Sequence, residues 1–261
     1  MLGFQNLNGN FVNKSAKYTQ SDHAVMGLEY SPGNAARITL EGFYKKYSQY
    51  PISLIDQVSL ANKGGDFEVL GNEAITSNGS GKSYGMEVLY QQKLAKNFYG
   101  VFAYTYFHSQ FTTSSGKYLP SVWDSRHLIS FSGGYKLKRN WEISARWRFS
   151  GQTPYVPVDL DASLSAYPEI ILDYNQLGNA KLDPFNLADI RFDKKWNFKR
   201  YSFNFYFEIQ NFLAQAVPLP EEYGLNRADN GELIFPNALV RVDTNENNNI
   251  PIPTFGLVFD F

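Results

Sequence analysis

Cysteine is absent from this chain of 261 residues, and histidine is scarce, with 3 copies. The lack of cysteine excludes disulfide scaffolds, cysteine-ligated zinc or iron–sulfur sites and thiol catalysis. An excess of positive charge is also missing, because 24 lysines and arginines are matched by 25 aspartates and glutamates, for a formal net charge of −1. Since an extended nucleic-acid-binding surface needs a basic excess, nucleic acid is not expected among the partners.

Long hydrophobic runs are lacking as well. No stretch approaches the roughly 20 apolar residues of a membrane-spanning helix, and residues 1–8 have neither the basic nor the apolar segment of a secretory signal. A chain of a secreted or outer-membrane class would therefore be expected to have further sequence before Met1. Aromatic side chains, by contrast, are abundant: 21 phenylalanines, 18 tyrosines and 4 tryptophans make up 16% of the chain.

Apolar and polar side chains alternate, with a period of two, in segments of about ten residues. In one such segment Tyr201, Phe203 and Phe205 occupy one face of a strand, and Ser202 and Asn204 occupy the other. On a helix the same apolar residues would be spread around the axis. Helix-period segments are almost absent, so the sequence predicts an all-β, antiparallel fold. The nine predicted strands are 22–30, 35–45, 82–94, 98–111, 125–137, 141–150, 185–196, 201–212 and 253–261.

Tight and long connections alternate strictly between these strands. The tight ones are 31–34, 95–97, 138–140 and 197–200, and the long ones are 46–81, 112–124, 151–184 and 213–252. Structureless loops of roughly 30 residues count against a compact soluble domain. Transmembrane β-barrels, however, have short periplasmic turns and long extracellular loops. The sequence therefore predicts a transmembrane β-barrel whose last strand ends on the periplasmic side.

Two alternatives remain open at this stage. A soluble β-sandwich that binds glycans would also alternate, but its outward face should be polar and its loops short. A small, complete outer-membrane barrel enzyme would need an additional strand from residues 1–20, where Phe4, Leu7 and Phe11 alternate poorly.

Bacterial single-chain barrels have even strand numbers, and an unpaired strand edge in lipid leaves backbone groups unsatisfied. Residues 1–261 are therefore interpreted as the C-terminal portion of one larger barrel domain.

Several short motifs, taken in order, resemble a known family. They are Glu41-Gly42-Phe43-Tyr44-Lys45-Lys46-Tyr47, Gly81-Lys82-Ser83-Tyr84-Gly85-Met86-Glu87, Leu119-Pro120-Ser121-Val122-Trp123-Asp124-Ser125-Arg126-His127, Ser150-Gly151-Gln152-Thr153-Pro154-Tyr155, Asp183-Pro184-Phe185-Asn186 and the terminal Phe255-Gly256-Leu257-Val258-Phe259-Asp260-Phe261. From about residue 22 onwards, their order and spacing resemble the C-terminal half of the barrel in TonB-dependent outer-membrane receptors of Bacteroidetes type.

The resemblance implies a barrel of about 22 strands in the outer membrane of a Gram-negative bacterium, plugged by an N-terminal domain that is not among these residues. It implies ligand-gated import energised by TonB, with a siderophore, a corrinoid, a peptide or an oligosaccharide as cargo. The implied partners are outer-membrane lipid, the protein's own plug domain, the TonB complex through the missing N-terminal part, the barrel assembly machinery and a surface lipoprotein. No cofactor and no enzymatic activity are expected.

Charged side chains that should project into the barrel interior are the candidates for contact with a plug or a ligand. They are Glu87, Asp124, Arg126, Glu142, Arg146, Arg148, Asp189, Arg191 and Glu208. Loop aromatics could stack on a ligand or equally brace the loops, and those predicted are Tyr50, Tyr118, Trp123, Tyr155 and Tyr174. The resemblance also implies that the final strand is the signal read by the assembly machinery, with Phe255, Leu257, Phe259 and Phe261 on one face.

Two motifs resemble parts of phosphate or metal sites. Residues 79–83 end like a phosphate-binding loop, but Thr76 stands where the first glycine is required, and a strand is predicted to follow instead of a helix. We interpret them as a loop that leads into a strand. Asp243 begins a segment like a calcium loop, but Asn248 replaces the glycine of its sixth position. No metal site is predicted.

The segment Asp124, Ser125 and His127 has the residue types of a nucleophilic triad. On a strand, Ser125 and His127 would share one face while Asp124 points to the other, so no third group would orient the base. The interpretation we favour is that Asp124 and Arg126 face the interior where a strand begins. No catalytic residue is predicted.

Overall fold

The computed structural model describes residues 5–6, 8–63, 72–234, 239–242 and 249–261. The strands are β1 (Gln20–Tyr30), β2 (Ala36–Ser53), β3 (Ile75–Ala95), β4 (Phe98–Thr112), β5 (Tyr118–Pro120), β6 (His127–Lys136), β7 (Trp141–Ser150), β8 (Val158–Asp159), β9 (Ile171–Leu172), β10 (Phe185–Asn197), β11 (Ser202–Gln210), β12 (Glu222–Leu225), β13 (Leu239–Val242) and β14 (Ile252–Asp260). Two short helices are α1 (Leu60–Lys63) and α2 (Leu160–Ser165). The predicted all-β fold is confirmed.

Nine of these strands form one antiparallel path within the described residues. Their order is β1-β2-β3-β4-β6-β7-β10-β11-β14, and β5 pairs with the end of β4. Each strand corresponds to one of the nine predicted ones, and each pairs with its neighbour along the chain. Among the described residues no pairing joins β1 to β14, so the sheet has two open edges. An open antiparallel sheet of this kind is what the sequence predicts for part of a barrel.

Tight turns close the sheet at one end. The turn between β3 and β4 consists of Lys96 and Asn97, with φ angles of 47° and 72°. In the turn between β6 and β7, Arg139 and Asn140 have φ angles of 58° and 57°. Two successive left-handed residues are the requirement of a type I′ hairpin, whose twist matches that of the flanking strands. The short connections therefore lie together at one end of the sheet, as predicted.

β2 and β3 are longer than the sequence predicts. β2 has 18 residues and continues to Ser53, and β3 has 21 residues and begins at Ile75. The sequence predicts that one strand ends at residue 45 and that the next begins at 82, because a period of two is evident only where the two faces of a strand differ in polarity. The phosphate-loop-like residues 79–83 consequently lie inside β3, and the predicted loop is wrong at this point.

The ladder register divides the side chains between two faces. We call the side that bears Arg146, Asp189 and Arg191 the inner face, and the side that bears Phe205 and Leu257 the outer face; each set is joined by register partners. Large apolar side chains on the outer face are strongly exposed. Met26 is 80% exposed and Phe255 is 77% exposed, as expected for a surface that contacts lipid.

Buried apolar side chains collect at the long-loop end of the sheet. Ile52, Val58, Leu60, Ala61 and Phe111 are at most 4% exposed. Ile52 and Phe111 are near the ends of β2 and β4, and the other three belong to the segment 54–63. Two small sheets, β8–β9 and β12–β13, lie in the other long connections. No helix in the described part of the chain is long and apolar enough to cross a membrane.

Candidate functional site

An ion pair joins β7 and β10 on the inner face. Arg146 and Asp189 are register partners, so their side chains meet. Nε and Nη2 of Arg146 each lie 2.8 Å from Oδ2 of Asp189, and Oδ1 of Asp189 accepts a hydrogen bond from the backbone N–H of Asn211 at 2.9 Å. Asp189 is 5% exposed, whereas the Arg146 side chain is 52% exposed. The pair therefore anchors the start of a long connection and leaves the guanidinium open to the interior.

Arg191 is the centre of a second network on the inner face. Its Nε and Nη2 donate to the two carboxylate oxygens of Asp193 at 2.8 Å each, and its Nη1 lies 3.6 Å from Oε2 of Glu208. Its guanidinium carbon lies 3.9 Å from the centroid of the Tyr206 ring. Asn204 donates to Asp193 at 3.0 Å. Arg191, Asp193 and Asn204 border an inner-face cavity of about 350 Å³, so Arg191 is held in a fixed position at its wall.

The other inner-face charges are less fully paired. The Tyr99 hydroxyl donates to Glu142. Glu87 lies opposite Glu41 in the ladder, and Arg148 lies opposite Ser130. Within the described residues neither Glu87 nor Arg148 forms an ion pair. Because like charges opposite each other on a sheet are destabilising, the Glu41–Glu87 arrangement favours contact with a positively charged group.

Asp124 and Arg126 do not have the expected placement on the inner face. β6 begins one residue after Arg126, whose φ angle of 66° is left-handed, so strand alternation does not apply to it. Its Nη1 lies 3.0 Å from Nε2 of His108, and the His108 ring stacks on Tyr84 at the outer face. Asp124 accepts from Nε of Arg126 at 3.2 Å and is 2% exposed. Burial raises the pKa of Asp124, although the nearby guanidinium opposes this.

Tyr50, predicted as a loop residue, belongs to the extended part of β2. Its ring centroid lies 4.5 Å from that of Phe111, which in turn lies 5.3 Å from that of Tyr47. Phe111 covers Gly81, where a Cβ atom would lie 2.4 Å from the ring. Only glycine fits beneath this ring without displacing it. Tyr50 thus has the surroundings of a bracing residue.

The other predicted aromatics are distributed over the loop end. Tyr118 is in β5, with Nζ of Lys82 at 4.6 Å from its ring centroid, and Trp123 is 55% exposed in the connection that follows. Tyr174 lies in a 3-10 turn, with Nζ of Lys63 at 5.7 Å from its ring centroid. The three aromatics belong to different loop-end segments, and each has its own neighbours.

Lys63 forms an ion cluster that the sequence analysis missed. Its Nζ lies 2.5 Å from Oδ2 of Asp56 and 2.6 Å from Oε1 of Glu73, and Ser53 donates to the same Glu73 carboxylate. Burial lowers the pKa of Lys63, but the hydrogen bonds to Asp56 and Glu73 outweigh it, so the pKa is raised overall. With its contact to Tyr174, the cluster links the connection 54–74 to the connection 151–184. No spacing in the sequence signals this cluster, because loops set its geometry.

Tyr155 borders a cavity of about 700 Å³ at the loop end. The cavity lies between the connections 151–184 and 211–251, and charged residues of both signs border it, including Lys181, Glu221 and Arg241. Oε1 of Glu221 pairs with Nη2 of Arg241 at 3.0 Å. Its size is in the range of small-molecule sites, so this is where the described loops could hold a ligand.

Comparison with known proteins identifies the family. A family model described as TonB dependent receptor-like, beta-barrel, matches residues 3–212. The chain belongs to this family. Membership confirms the barrel fold that the sequence pattern predicts and the outer-membrane location in a Gram-negative bacterium that the resemblance implies. The narrower resemblance, to TonB-dependent receptors of Bacteroidetes type, stays a prediction.

Solved TonB-dependent receptors share the fold at low sequence identity. The ferric-catecholate import receptor Fiu from E. coli K12 has a TM-score of 0.57 and 10% identity, covering 100% of this chain and 30% of that one. The pyoverdine receptor FpvA from Pseudomonas aeruginosa PAO1 has a TM-score of 0.58 and 12% identity, covering 100% and 32%. The ferric preacinetobactin receptor BauA from Acinetobacter baumannii has a TM-score of 0.55 and 12% identity, covering 92% and 29%. The chain thus spans about a third of the length of these structures. No curated protein matches it.

The last strand of this TonB-dependent receptor chain has the predicted outer-face pattern. Phe255, Leu257 and Phe259 are register partners of outer-face aromatics on β11, and Phe261, just after β14, is 100% exposed. Their role as an assembly signal stays a prediction. The calcium-like segment that begins at Asp243 lies outside the described residues.

Proposed function

We propose that this chain is the C-terminal part of the barrel domain of a receptor that imports a scarce nutrient by a ligand-gated, TonB-energised step. The observation that carries the proposal is one antiparallel sheet with charged networks on its inner face and lipid-compatible aromatics on its outer face, in a chain that matches the family over residues 3–212. A polar interior and an apolar exterior are the requirements of a plugged transport barrel. The open edges of β1 and β14 pair with further strands of the same barrel, because unpaired edges in lipid cost several kcal/mol per backbone group.

The inner face is proposed to contact the plug domain of the same receptor. Arg146 is half exposed although it is paired, and Glu87 and Arg148 are not in ion pairs among the described residues. Side chains of this kind are available to oppositely charged groups of a plug. Glu142 and Glu208, which already have partners within the sheet, would instead keep the barrel wall rigid around the plug.

Ferric siderophores are the cargo class to test first. Fiu is a ferric-catecholate import receptor, and FpvA was solved bound to pyoverdine. Corrinoids, peptides and oligosaccharides are the other cargo classes. We propose the cavity bordered by Tyr155 as the ligand-contact region of this chain, with the exposed Trp123 and Tyr118 as further contacts.

The proposed partners follow from the same assignment. The TonB complex acts through the N-terminal part of the receptor, and a surface lipoprotein is a further candidate at the loop end. Outer-membrane lipid contacts the outer face.

The barrel assembly machinery reads the final strand, so deletion of Phe261 from the full-length receptor should lower its abundance in the outer membrane. The ligand affinity of the surviving population should stay the same; unchanged abundance would argue against the signal.

An enzymatic role is not proposed. The Asp124 carboxylate is occupied by Arg126 and by a backbone N–H of β4, while Nδ1 of His127 lies 2.9 Å from the Tyr104 hydroxyl. The side chains of Asp124 and His127 are therefore hydrogen-bonded to other groups and not to each other. Among the described residues no group of three or more potential metal ligands is present.

Uptake measurements test the proposed function. The full-length receptor would be expressed in matched strains with and without TonB, and uptake of a labelled ferric siderophore, corrinoid, peptide and oligosaccharide would be measured. We expect uptake of one cargo class that requires both TonB and the proton-motive force. A TonB-independent porin substrate, whose entry should be equal in the two strains, is the control. Uptake that is the same without TonB would contradict the proposal.

A further inference from the structure

Three arginines occupy consecutive positions along the inner face. Arg148 and Arg146 are two residues apart on β7, and Arg191 of β10 is the register partner of Ser144, the next inner-face residue of β7. Side chains on one face of a strand repeat about every 7 Å. The three guanidiniums therefore follow one another along the wall from the long-loop end towards the tight-turn end. We call these three residues the arginine stripe.

The carboxylates beside the stripe are less exposed than its guanidiniums. The Arg146 side chain is 52% exposed, whereas that of its partner Asp189 is 7% exposed. The Arg191 side chain is 34% exposed, against 18% for Asp193 and 19% for Glu208. These three carboxylates balance the stripe in number, but they lie deeper than the cations. The surface that the stripe presents to the barrel interior is therefore positive.

Arg148 has no carboxylate of its own. It is exposed and forms no ion pair among the described residues. Its register partners are Ser130 on β6 and Leu187 on β10. Opposite Arg146 and Ser144, β6 bears Ser132 and Gly134. Because these β6 side chains are small and uncharged, the neighbouring strand neither covers the guanidiniums nor neutralises them.

Two cavities on the inner face adjoin at Arg191. One, of about 160 Å³, is bordered by Arg146, Arg191 and Ser144. The other, of about 350 Å³, is also bordered by Arg191 and Ser144, and it extends to Lys195 and Asp260 near the tight-turn end. There the carboxylate is as accessible as the cation, because the Lys195 and Asp260 side chains are 46% and 65% exposed. The positive surface is therefore confined to the arginine stripe.

We infer that the arginine stripe selects anionic cargo during passage along this wall of the barrel. The inference rests on the proposed import function and adds negative charge as a property of the cargo. Cations that line a narrow passage with low-dielectric walls raise the local concentration of anions. In the closed receptor the same guanidiniums can hold acidic groups of the plug, and the anionic cargo replaces those groups when the plug moves.

The sign of the potential at the stripe can be measured without knowledge of the cargo. The chain contains no cysteine, so Ser130→Cys, opposite Arg148, introduces a single thiol once any cysteine outside residues 1–261 is replaced. Its modification by an anionic sulfonatoethyl and a cationic trimethylammonioethyl methanethiosulfonate is followed in the full-length receptor, in respiring cells that contain TonB. Both rates are divided by those of the same reagents with a free thiol.

We expect the anionic reagent to react faster at position 130. Arg148→Gln should lower the anionic-to-cationic rate ratio about 7-fold, because one charge at about 7 Å in water changes the rate of each reagent about 3-fold, in opposite directions. Thr105→Cys is the matched control. Thr105 is the register partner of Glu87, so the cationic reagent should be favoured there. An unchanged ratio at position 130 in Arg148→Gln would overturn the inference, and so would the absence of any reaction at that position.

Uptake of two ferric complexes by the full-length receptor tests the selectivity itself. Three dianionic catecholates leave Fe³⁺ with a net negative charge, whereas three monoanionic hydroxamates give a neutral complex. We expect import of the tris-catecholate and not of the tris-hydroxamate. Arg148→Gln should lower the maximal import rate of the tris-catecholate at least about 3-fold, with the affinity at the cell surface unchanged. Arg148→Lys should keep the rate, and Arg200→Gln, at an exposed tight turn, should match the wild type.

The outcomes separate the inference from the proposed function. Import of the neutral complex as fast as the anionic one would overturn the inference, and so would an unchanged maximal rate in Arg148→Gln. Import of neither complex would contradict a ferric siderophore as the cargo, and the thiol measurement would then decide on the stripe by itself.

Discussion

The guanidinium of Arg191 lies 3.9 Å from the centroid of the Tyr206 ring on the inner face. The same ring also covers Gly256 of the last strand, where a Cβ atom would lie 2.4 Å from ring atoms. Arg191, Tyr206 and Gly256 thus form one stack across β10, β11 and β14. The stack couples the open edge of the sheet to the ion network around Arg191.

Gly256→Ala should displace the Tyr206 ring and disturb its contact with Arg191. Overpacking of a tight contact costs about 1–3 kcal/mol, and we expect a loss near the lower limit because a side chain can shift more easily than backbone. Denaturant unfolding of the full-length receptor in detergent measures the change. Gly42→Ala is the matched control, since a Cβ at Gly42 meets only one backbone oxygen, at 4.0 Å. Equal stability of the two variants would contradict the stacking argument.

Substitutions of Asp189 should separate its two partners. Asp189→Ala removes the ion pair with Arg146 and leaves the backbone N–H of Asn211 without an acceptor, at a cost of about 2–3 kcal/mol. Asp189→Asn keeps an acceptor for that N–H and should cost about 1 kcal/mol. The midpoint of guanidinium unfolding distinguishes these values. If both variants lose the same stability, the hydrogen bond to Asn211 contributes little.

The Lys63 cluster should weaken at high pH. Because the pKa of Lys63 is raised in the folded protein, its stabilising contribution is complete below the usual lysine pKa of about 10.4. It is lost as the pH rises through the higher folded value. Cleavage of the connection 54–74 by subtilisin, corrected with a peptide substrate at each pH, should accelerate above that range in the wild type.

Lys63→Met serves as the comparison for this pH effect. It should be cleaved faster than the wild type already at pH 8, by a factor corresponding to about 2 kcal/mol, with no further acceleration as the pH rises. Lys117→Met, at an exposed lysine, is the control and should follow the wild type. Parallel pH curves for the wild type and Lys63→Met would show that Lys63 does not cause the change.

Phe205 and Asn204 should respond differently to lysine. Phe205 is on the outer face, where a lysine near the bilayer midplane costs about 2–4 kcal/mol. Asn204 is on the inner face, and Asn204→Lys should be nearly neutral apart from the lost hydrogen bond to Asp193. Folding of the full-length barrel into lipid vesicles measures both variants. Single tryptophans at 203, 204, 205 and 206 should be quenched by brominated acyl chains only at 203 and 205. No quenching at any position would rule out the membrane assignment.

The strands and their order could be predicted from the sequence, because they depend on the difference in polarity between the two faces of each strand, which is visible along the whole strand. One face meets lipid and the other meets polar groups, so Phe203 and Phe205 on β11 reveal their strand without knowledge of its partners. The contrast ends where a strand leaves the bilayer. For that reason the sequence predicts a loop where the loop-end parts of β2 and β3, around Ile52 and Ile75, are strands.

The loop-end geometry could not be predicted, because it depends on contacts between distant segments. Lys63 meets Glu73 and Tyr174 only after two connections, 54–74 and 151–184, have folded. Arg126 lies on the outer face because its own φ angle is left-handed. Nothing in the sequence around an arginine that precedes a strand predicts this conformation. The inner-face ion pairs can be predicted in part. Alternation in the sequence puts Arg146 and Asp189 on the polar face, but only the strand register shows that they are partners.

The two ends of the sheet should differ in the insertions they tolerate over evolution. At one end, pairs of left-handed residues such as Lys96 and Asn97 close hairpins with fixed register, and one added residue would exchange lipid-facing and interior side chains along a whole strand. At the other end, strands that continue beyond the bilayer separate the long connections from the membrane. Insertions there alter neither register nor lipid contact. Descendants of this chain can therefore acquire new loops on an unchanged barrel wall.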